Sequence, residues 1–215
     1  MVLSYSVKEI FYSLQGEGYH AGRPAVFCRF AGCNLWSGKE ADRSNAVCQF
    51  CDTDFVGTDG PEGGKYETAA ALAEKVVSLW PAKIDRSVRP FVICTGGEPL
   101  LQLDTELIAV FHHAGFAVAV ETNGTILPPE GVDWLCVSPK SDTELIVRKG
   151  DELKLVFPQS GVDPEKYLDL DFQYFFLQPQ DGPDLDENIR LTVEYCLAYP
   201  QWQLSLQTHK ILGIK

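Results

Sequence analysis

The chain has 215 residues, a length typical of one domain with a sizeable apolar core. Its 30 acidic and 18 basic residues give a net charge of −12, which argues against a nucleic-acid partner because such partners favour a basic surface. No apolar run reaches the roughly 18 residues of a membrane span, and the start MVLSYSVKEI does not resemble a signal peptide. We therefore expect a cytoplasmic protein that acts on a small molecule.

Predicted strands alternate with predicted helices along the chain, judged by apolar runs and by the spacing of apolar residues. In chain order, they are a strand at 25–30, a helix at 68–81, a strand with its turn at 90–101, a helix at 104–115, strands at 116–124, 134–140, 152–157 and 174–180, a helix at 185–199 and a strand at 203–209.

Most of these strands are apolar and end in polar or glycine residues, such as TGGE at 95–98 and SPK at 138–140. In parallel α/β folds the ligand lies at the carboxyl ends of the strands and is held by such residues. A full eight-stranded barrel typically needs about 250 residues. The pattern therefore predicts an α/β fold, a shortened and partly open (β/α) barrel, in one domain spanning 1–215.

Three of the seven cysteines, Cys33, Cys48 and Cys51, lie in a polar loop at about 31–55. An odd number of cysteines in a chain of cytosolic character indicates metal or redox chemistry rather than disulfides. The remaining four are predicted to be small buried apolar residues. They are Cys28, Cys94, Cys136 and Cys196.

Three interpretations of the loop cysteines are open on spacing alone. A zinc site would need a fourth ligand, such as His20, His112, His113 or His209. A redox pair at Cys48 and Cys51 is weaker, because no strand leads this CxxC into a helix. A [4Fe–4S] cluster usually takes four cysteines, so three would leave one iron open to bind a ligand.

The motifs beyond the loop resemble those of the radical S-adenosylmethionine superfamily, in which CxxCDT is followed by a glycine-rich turn such as TGGEPLL. Most members space the cysteines CxxxCxxC, whereas 14 residues separate Cys33 from Cys48. This CX14CX2C spacing resembles the 7-carboxy-7-deazaguanine synthase family, as do YSLQGEG, FCRFAGCNLWSG, ETNGT, SPK and QTHKILG. The resemblance covers essentially the whole chain.

This resemblance implies a homodimeric lyase with a partial (β/α) barrel. It implies conversion of the pterin 6-carboxy-5,6,7,8-tetrahydropterin to 7-carboxy-7-deazaguanine with loss of ammonia, through hydrogen abstraction at C6 and ring contraction. The implied cofactors are a [4Fe–4S] cluster, S-adenosylmethionine and Mg²⁺, with an electron donor such as flavodoxin. A radical activase of a glycyl-radical enzyme and a zinc-stabilised binding module are the alternatives.

The resemblance also assigns residues to each ligand. The cluster ligands are Cys33, Cys48 and Cys51, and Thr53 is the Mg²⁺ ligand. The S-adenosylmethionine contacts are Phe50, Asp52, Gly96, Gly97, Glu98, Ser138, Pro139, Lys140 and Gln178. The substrate contacts are Leu14, Gln15, Gly16, Glu17, Arg29, Thr95 and His209.

For several of these residues, physical chemistry also supports the assigned role or suggests an alternative. A carboxylate at Glu17 matches the paired N–H donors of a pterin edge, although the residue could be a solvated turn residue. Arg29 lies in an apolar strand and needs an anion, either the substrate carboxylate or an internal Asp or Glu. Glu98 can accept from the ammonium of S-adenosylmethionine. Lys140 could be a surface lysine, and Thr53 could cap a turn.

Overall fold

The computed structural model describes residues 4–81 and 88–215. Within these residues, nine strands form one sheet, and four α-helices accompany it. The strands are β1 (Tyr5–Leu14), β2 (Pro24–Phe30), β3 (Gly64–Tyr66), β4 (Phe91–Gly96), β5 (Ala117–Thr122), β6 (Trp134–Val137), β7 (Lys149–Phe157), β8 (Asp171–Pro179) and β9 (Gln203–Leu204). The helices are α1 (Ala69–Leu79), α2 (Thr105–His113), α3 (Leu185–Ala198) and α4 (Thr208–Leu212).

The sheet has the order β3-β1-β2-β4-β5-β6-β7-β8-β9. All neighbours from β2 to β9 are parallel, whereas β1 pairs antiparallel with both β2 and β3. The sheet does not close on itself, since β3 and β9 are its two ends. The predicted fold class, an α/β fold built as a partly open barrel, is confirmed.

Side chains alternate between the two faces of the sheet, as strand geometry requires. Val26, Cys28 and Phe30 of β2 belong to the main core, together with buried residues of α1 and α2. Ala25 and Phe27 of the same strand face the other side, in a smaller apolar cluster with Phe91 and Ile93 of β4. The face opposite the main core therefore lines the inside of the partial barrel.

Two helices begin at side-chain caps that the sequence contains. The Thr68 hydroxyl accepts from the Ala71 amide at the start of α1, and the Asp104 carboxylate accepts from the Leu107 amide at the start of α2. The three predicted helices are present as α1, α2 and α3. No helix in the described parts of the chain is long and apolar enough to cross a bilayer.

The predicted last strand at 203–209 is wrong beyond Leu204. The chain turns there because Ser205 accepts a hydrogen bond from the Gly18 amide at 2.9 Å, and the Thr208 amide donates to the Gly16 carbonyl at 2.9 Å. These contacts start α4, which ends at Gly213 in the left-handed conformation with φ of 66°. The predictions also missed β1 and β3.

Candidate active site

A cavity of about 340 Å³ opens at the carboxyl ends of the parallel strands. Its walls include the chain after β2, β4, β5 and β6, together with inward residues near the ends of β7 and β8. All the predicted site residues line it except Glu98 and Pro139, which are buried outside its lining. Those that line it are Leu14, Gln15, Gly16, Glu17, Arg29, Cys33, Cys48, Phe50, Cys51, Asp52, Thr53, Thr95, Gly96, Gly97, Ser138, Lys140, Gln178 and His209.

The three loop cysteines meet at this cavity. The Cys48 thiol donates a hydrogen bond to Cys51, which raises the pKa of Cys48 and lowers the pKa of Cys51 to about 6. Burial raises the pKa of Cys33, whose sulfur accepts from the Leu35 amide at 3.4 Å. The loop thus presents three sulfurs to one space, with the Leu35 amide already directed at Cys33 and the Thr53 amide at Cys51.

The 14-residue gap between Cys33 and Cys48 folds back on the loop. A 3-10 helix at Glu40–Asn45 carries Arg43, which donates to the carbonyls of Gln49 at 2.8 Å and Cys51 at 3.0 Å. The Arg43 guanidinium also lies 4.2 Å from the ring centroid of Trp36. The long gap therefore provides a side chain that shapes the backbone around Cys51.

The residues present fit an iron–sulfur cluster. The Lys140 ammonium lies near the sulfurs of Cys48 and Cys51. Burial is the largest influence on the pKa of Lys140 and lowers it, whereas the two sulfurs act to raise it. Lys140 donates to the Ser138 carbonyl at 2.7 Å and hydroxyl at 2.6 Å, so it is not a free surface lysine. In the described parts of the chain, no group of three or more His, Cys, Asp or Glu side chains converges on a single metal ion. Thiolates that bind different irons of one cluster need not converge on one point.

Two of the candidate fourth ligands for the alternative zinc site, His20 and His112, have other partners. His20 packs against Trp134, with ring centroids 4.3 Å apart, and His112 hydrogen-bonds Asp133 at 2.8 Å. A zinc site formed with either histidine is therefore not present in this arrangement.

The glycine-rich turn after β4 lies against the cysteine loop. A Cβ at Gly96 or Gly97 would overlap the carbonyl oxygen of Phe30 or Gly32, and one at Gly97 would also lie 2.8 Å from Cβ of Cys33. Gly96 has φ of +129°. The structure shows close approach of this turn to the backbone that carries Cys33, and the contact of Gly96 and Gly97 with S-adenosylmethionine stays a prediction.

Glu98 is buried behind the cavity wall and hydrogen-bonded within the protein. Its carboxylate is fully buried and accepts from the Thr122 hydroxyl at 2.8 Å and the amides of Asn123 at 2.8 Å and Leu100 at 3.0 Å. Burial raises the pKa of Glu98. The described contacts tie the turn after β4 to the end of β5, and contact with S-adenosylmethionine stays a prediction.

The loop after β1 lies along another part of the cavity. Gln15 donates to Glu121 at 2.8 Å, and Thr95 donates to the same carboxylate at 3.1 Å. Gly16 packs so closely on His209 that a Cβ there would overlap the imidazole. Gln15 and Thr95 therefore share a carboxylate that the sequence interpretation did not include, while Gly16 and His209 pack on each other in the same cavity wall.

Glu17 is held in this loop by a buried ion pair. One carboxylate oxygen accepts from the Lys154 ammonium at 2.5 Å and the other from the Gln207 amide at 3.0 Å. Burial acts to raise the pKa of Glu17, but Lys154 and Gln207 hold it at about 2. Glu17 is not the solvated turn residue of the alternative interpretation.

Arg29 has the internal acidic partner that one interpretation required. Its Nε donates to Glu9 at 3.1 Å, and Arg29 also lines the cavity. The Lys215 ammonium pairs with the same Glu9, and the Lys215 carbonyl accepts from the Ser13 hydroxyl at 2.5 Å. The chain after α4 therefore returns to the cavity beside Arg29.

Lys210 of α4 joins two other parts of the cavity wall. Its ammonium lies 2.5 Å from Asp52, next to Cys51, and 2.6 Å from Asp181 after β8. Gln207 contacts both Glu17 and Asp52, the latter at 3.1 Å. The α4 segment thus links the Glu17 loop to the cysteine loop.

Some charged residues at the cavity or beside it were missed from the sequence although a signal was present. In ELKL at 152–155, Glu152 and Lys154 alternate with Leu153 and Leu155, which predicts two charged side chains opposite the core face. Glu121 follows the apolar run of β5 directly, in the position where parallel strands place ligand-binding residues. Glu9 and Lys210 carried no comparable signal, because their partners are distant in the sequence.

No protein-family model matches the chain. It is 61% identical over 212 residues to the 7-carboxy-7-deazaguanine synthase of Caulobacter vibrioides, and 58% identical to that of Burkholderia multivorans, covering 99% of this chain and 100% of each relative. The chain belongs to the 7-carboxy-7-deazaguanine synthase family. The crystal structure of QueE from Escherichia coli, at 24% identity, superposes with a TM-score of 0.68 over 94% of this chain and 93% of that one.

Family membership confirms the resemblance seen in the motifs. It identifies the protein as a radical S-adenosylmethionine enzyme of the 7-carboxy-7-deazaguanine synthase family, with an iron–sulfur cluster. Among the interpretations of the three cysteines, it therefore favours the cluster over the zinc site and the redox pair.

Proposed function

We propose that the protein converts 6-carboxy-5,6,7,8-tetrahydropterin to 7-carboxy-7-deazaguanine with loss of ammonia, as a carbon–nitrogen lyase in 7-deazapurine (queuosine-type) biosynthesis. One observation carries this proposal. A single cavity contains both the CX14CX2C cysteines and the ionised Glu17 carboxylate, at the strand ends where an α/β fold binds its ligand.

Cys33, Cys48 and Cys51 would hold the [4Fe–4S] cluster, leaving one iron without a protein thiolate. Together with S-adenosylmethionine, the cluster supplies the radical chemistry that begins with hydrogen abstraction at C6 of the pterin. The Lys140 ammonium beside Cys48 and Cys51 offsets part of the negative charge of the thiolates. The remaining proposed contacts to S-adenosylmethionine are Phe50, Asp52, Gly96, Gly97, Glu98, Ser138, Pro139 and Gln178.

The substrate would be bound by the wall formed from the loop after β1. An ionised Glu17 accepts two N–H donors of the pterin edge in charge-assisted hydrogen bonds. Arg29, already partly balanced by Glu9, would attract the substrate carboxylate from the same cavity. Gln15 and Thr95 hold the Glu121 carboxylate in place, so the wall is organised before the ligand arrives.

Three further features belong to this proposal and rest on the family resemblance. Thr53 would contribute one oxygen ligand to Mg²⁺, with the substrate supplying others, because Mg²⁺ prefers oxygen ligands and commonly retains waters. An electron donor such as flavodoxin would reduce the cluster. The active form would be a cytoplasmic homodimer.

The decisive experiment is anaerobic turnover of the carboxypterin by reconstituted protein with reductant and S-adenosylmethionine. We expect formation of 7-carboxy-7-deazaguanine and ammonia, with iron and sulfide present in the protein. A zinc-stabilised module would be colourless and inactive. A glycyl-radical activase would cleave S-adenosylmethionine but leave the pterin unchanged.

A matched pair of cysteine variants tests the cluster assignment. Cys48→Ala should abolish reductive cleavage of S-adenosylmethionine, because it removes one of the three thiolates. Cys196→Ala is the control, since Cys196 lies on α3 outside the cavity lining and should leave turnover near the wild-type rate. Full activity of reconstituted Cys48→Ala would contradict the assignment.

A further inference from the structure

A buried lysine lies under the wall that is proposed to bind the substrate. Lys154 is in β7, and only 5% of its surface is exposed. Its neighbours Leu153 and Leu155 belong to the main core, so Lys154 points to the inside of the partial barrel. A lysine is almost never this deeply buried unless it is paired.

Acidic groups surround this lysine. Its ammonium lies 2.5 Å from one oxygen of Glu17 and 4.0 Å from the Glu121 carboxylate. The other charged or titratable groups that act on Lys154 or Glu17 are Glu152, Cys136, Lys140 and His209. Lys154 is therefore a cation that directly balances the acidic side chains Glu17 and Glu121 of this wall.

The ion pair also determines how the Glu17 carboxylate is oriented. The Lys154 ammonium donates to one oxygen of the Glu17 carboxylate, and the Gln207 side-chain amide donates to the other at 3.0 Å. Gln207 in turn contacts Asp52, next to the cluster ligand Cys51. The orientation of Glu17 is thus set by β7 on one side and by the α4 segment on the other.

We propose that Lys154 is a positioning residue, which keeps Glu17 ionised and oriented so that it recognises the N–H edge of the substrate. This inference rests on the proposed function, in which Glu17 binds the pterin. A buried carboxylate without a nearby cation takes up a proton more easily. A protonated Glu17 would present a hydroxyl to the substrate donors and would lose one acceptor.

If the Lys154–Glu17 ion pair had only a structural role, the expected results would be different. Buried ion pairs often contribute little to net stability, and breaking one leaves an unpaired charge. In that case Lys154→Met would lower stability without changing the titration of Glu17 or the pH dependence of substrate binding. The test therefore measures these two quantities and not stability alone.

The first measurement follows Glu17 directly by carbon-13 NMR of labelled glutamate in the reconstituted protein, with the signal assigned from Glu17→Gln. In the wild type, Glu17 should remain ionised until strongly acidic pH. In Lys154→Met its pKa should rise markedly, so the carboxylate exists above that higher pKa and is lost as the pH falls through it. Lys154→Arg keeps the charge and should resemble the wild type.

The second measurement is the pH dependence of KM and kcat for the carboxypterin. Lys154→Met should raise KM by about tenfold, the loss of one charged hydrogen bond, with a larger increase at acidic pH. The kcat should change less, because binding to Glu17 is expected in both ground and transition states. Lys166→Met, the same change at an exposed lysine, is the control.

The outcomes separate the two proposals. An unchanged Glu17 titration in Lys154→Met overturns the role of Lys154, whatever the substrate. No turnover of the carboxypterin by the wild type overturns the proposed function, while the NMR titration still reports whether Lys154 controls Glu17. If Lys154→Met does not fold, Lys154→Gln with the same two measurements replaces it.

Discussion

Gly97 shows how one missing side chain allows two parts of the site to meet. A Cβ there would overlap the Gly32 carbonyl and lie 2.8 Å from Cβ of Cys33. The turn after β4 and the cysteine loop are therefore in direct backbone contact, with the Glu98 amide donating to the Gly32 carbonyl at 2.9 Å.

We expect Gly97→Ala to destabilise the protein by about 1–3 kcal/mol, because the added methyl must displace backbone. The displacement acts on the segment that carries Cys33, so iron content after reconstitution should fall as well. Gly64→Ala is the control, since the nearest atom to its Cβ would be 3.9 Å away. Equal iron content and equal melting temperatures in Gly97→Ala and the wild type would contradict this explanation.

Thr53 allows a test of the proposed Mg²⁺ site at a single hydroxyl. Thr53 is half-buried, lines the cavity and lies two positions after Cys51. The Thr53 amide donates to the Cys51 sulfur. We expect Thr53→Val to lose most of the stimulation of turnover by Mg²⁺, because it removes an oxygen while keeping the shape. Thr53→Ser should keep most of it.

Turnover measured over a range of Mg²⁺ concentrations gives the answer, with cluster content and S-adenosylmethionine binding as checks. If Thr53→Val responds to Mg²⁺ as the wild type does, the hydroxyl only stabilises the turn.

At the residue scale, the family resemblance and the motifs that carry it predicted half of the residues that line the cavity, but not the charged side chains that hold them. Cys33, Cys48 and Cys51 could be found because their positions relative to one another are visible in the sequence. Lys154 could not be assigned to Glu17, because 137 positions separate them and only the sheet brings them together. Glu98 illustrates the same limit, since its hydrogen bonds to Thr122 and Asn123 depend on the packing of β4 beside β5.

The α4 helix is a short element held at the cavity largely by polar contacts. It has five residues, none of them buried, and Lys210 bridges Asp52 and Asp181. Half-exposed ion pairs of this kind contribute up to about 1 kcal/mol each to stability. The consequence of these bridges is therefore expected in ligand binding more than in folding.

We expect Lys210→Met to raise KM for the carboxypterin or for S-adenosylmethionine several-fold, with a melting temperature close to that of the wild type. The reason is that α4 and Gln207 position both Glu17 and Asp52. Initial-rate kinetics with each substrate varied in turn measures the effect, and Lys166→Met serves as the control. Wild-type KM values for both substrates would show that these bridges do not organise the cavity.

At the element scale, the predictions failed where period-two patterns were broken or incomplete. The register of β1 shifts by a bulge between Val7 and Glu9, so its alternation is interrupted where Lys8 becomes buried. The QLSLQTH segment has the alternation of a strand, yet only Gln203 and Leu204 pair with β8. Contacts of Ser205 and Thr208 with the loop after β1 determine the remainder, and they are not local in the sequence.

The stability of the whole molecule should depend on pH through His20. This histidine packs between Tyr19, Phe91 and Trp134, and burial lowers its pKa to about 4. Its pKa in the unfolded chain is about 6.5, so the unfolded state binds more protons in the interval between these values. The neutral His20 ring contributes its full share to the free energy of unfolding when the pH is above the pKa of the unfolded chain. This contribution is lost as the pH falls towards the pKa of His20 in the folded protein.

For a fully buried group, a pKa shift of this size corresponds to a loss of about 3 kcal/mol of unfolding free energy at acidic pH. We expect a loss of about 1–2 kcal/mol, because His20 is only partly buried. His20→Phe keeps an aromatic ring and should remove this part of the acid-side loss. Urea unfolding at several pH values, compared between the two proteins, measures the difference. Parallel pH profiles would mean that other groups cause the acid sensitivity.

The short ends of the sheet have a consequence for how the protein behaves at high concentration. An open barrel leaves two strand edges whose unpaired N–H and C=O groups could template aggregation. Here the two outer strands, β3 and β9, have only three and two residues, and β3 carries Lys65. Short edges and a charged side chain are common defences against edge-to-edge polymerisation. The two outermost strands themselves therefore offer little template for fibril growth.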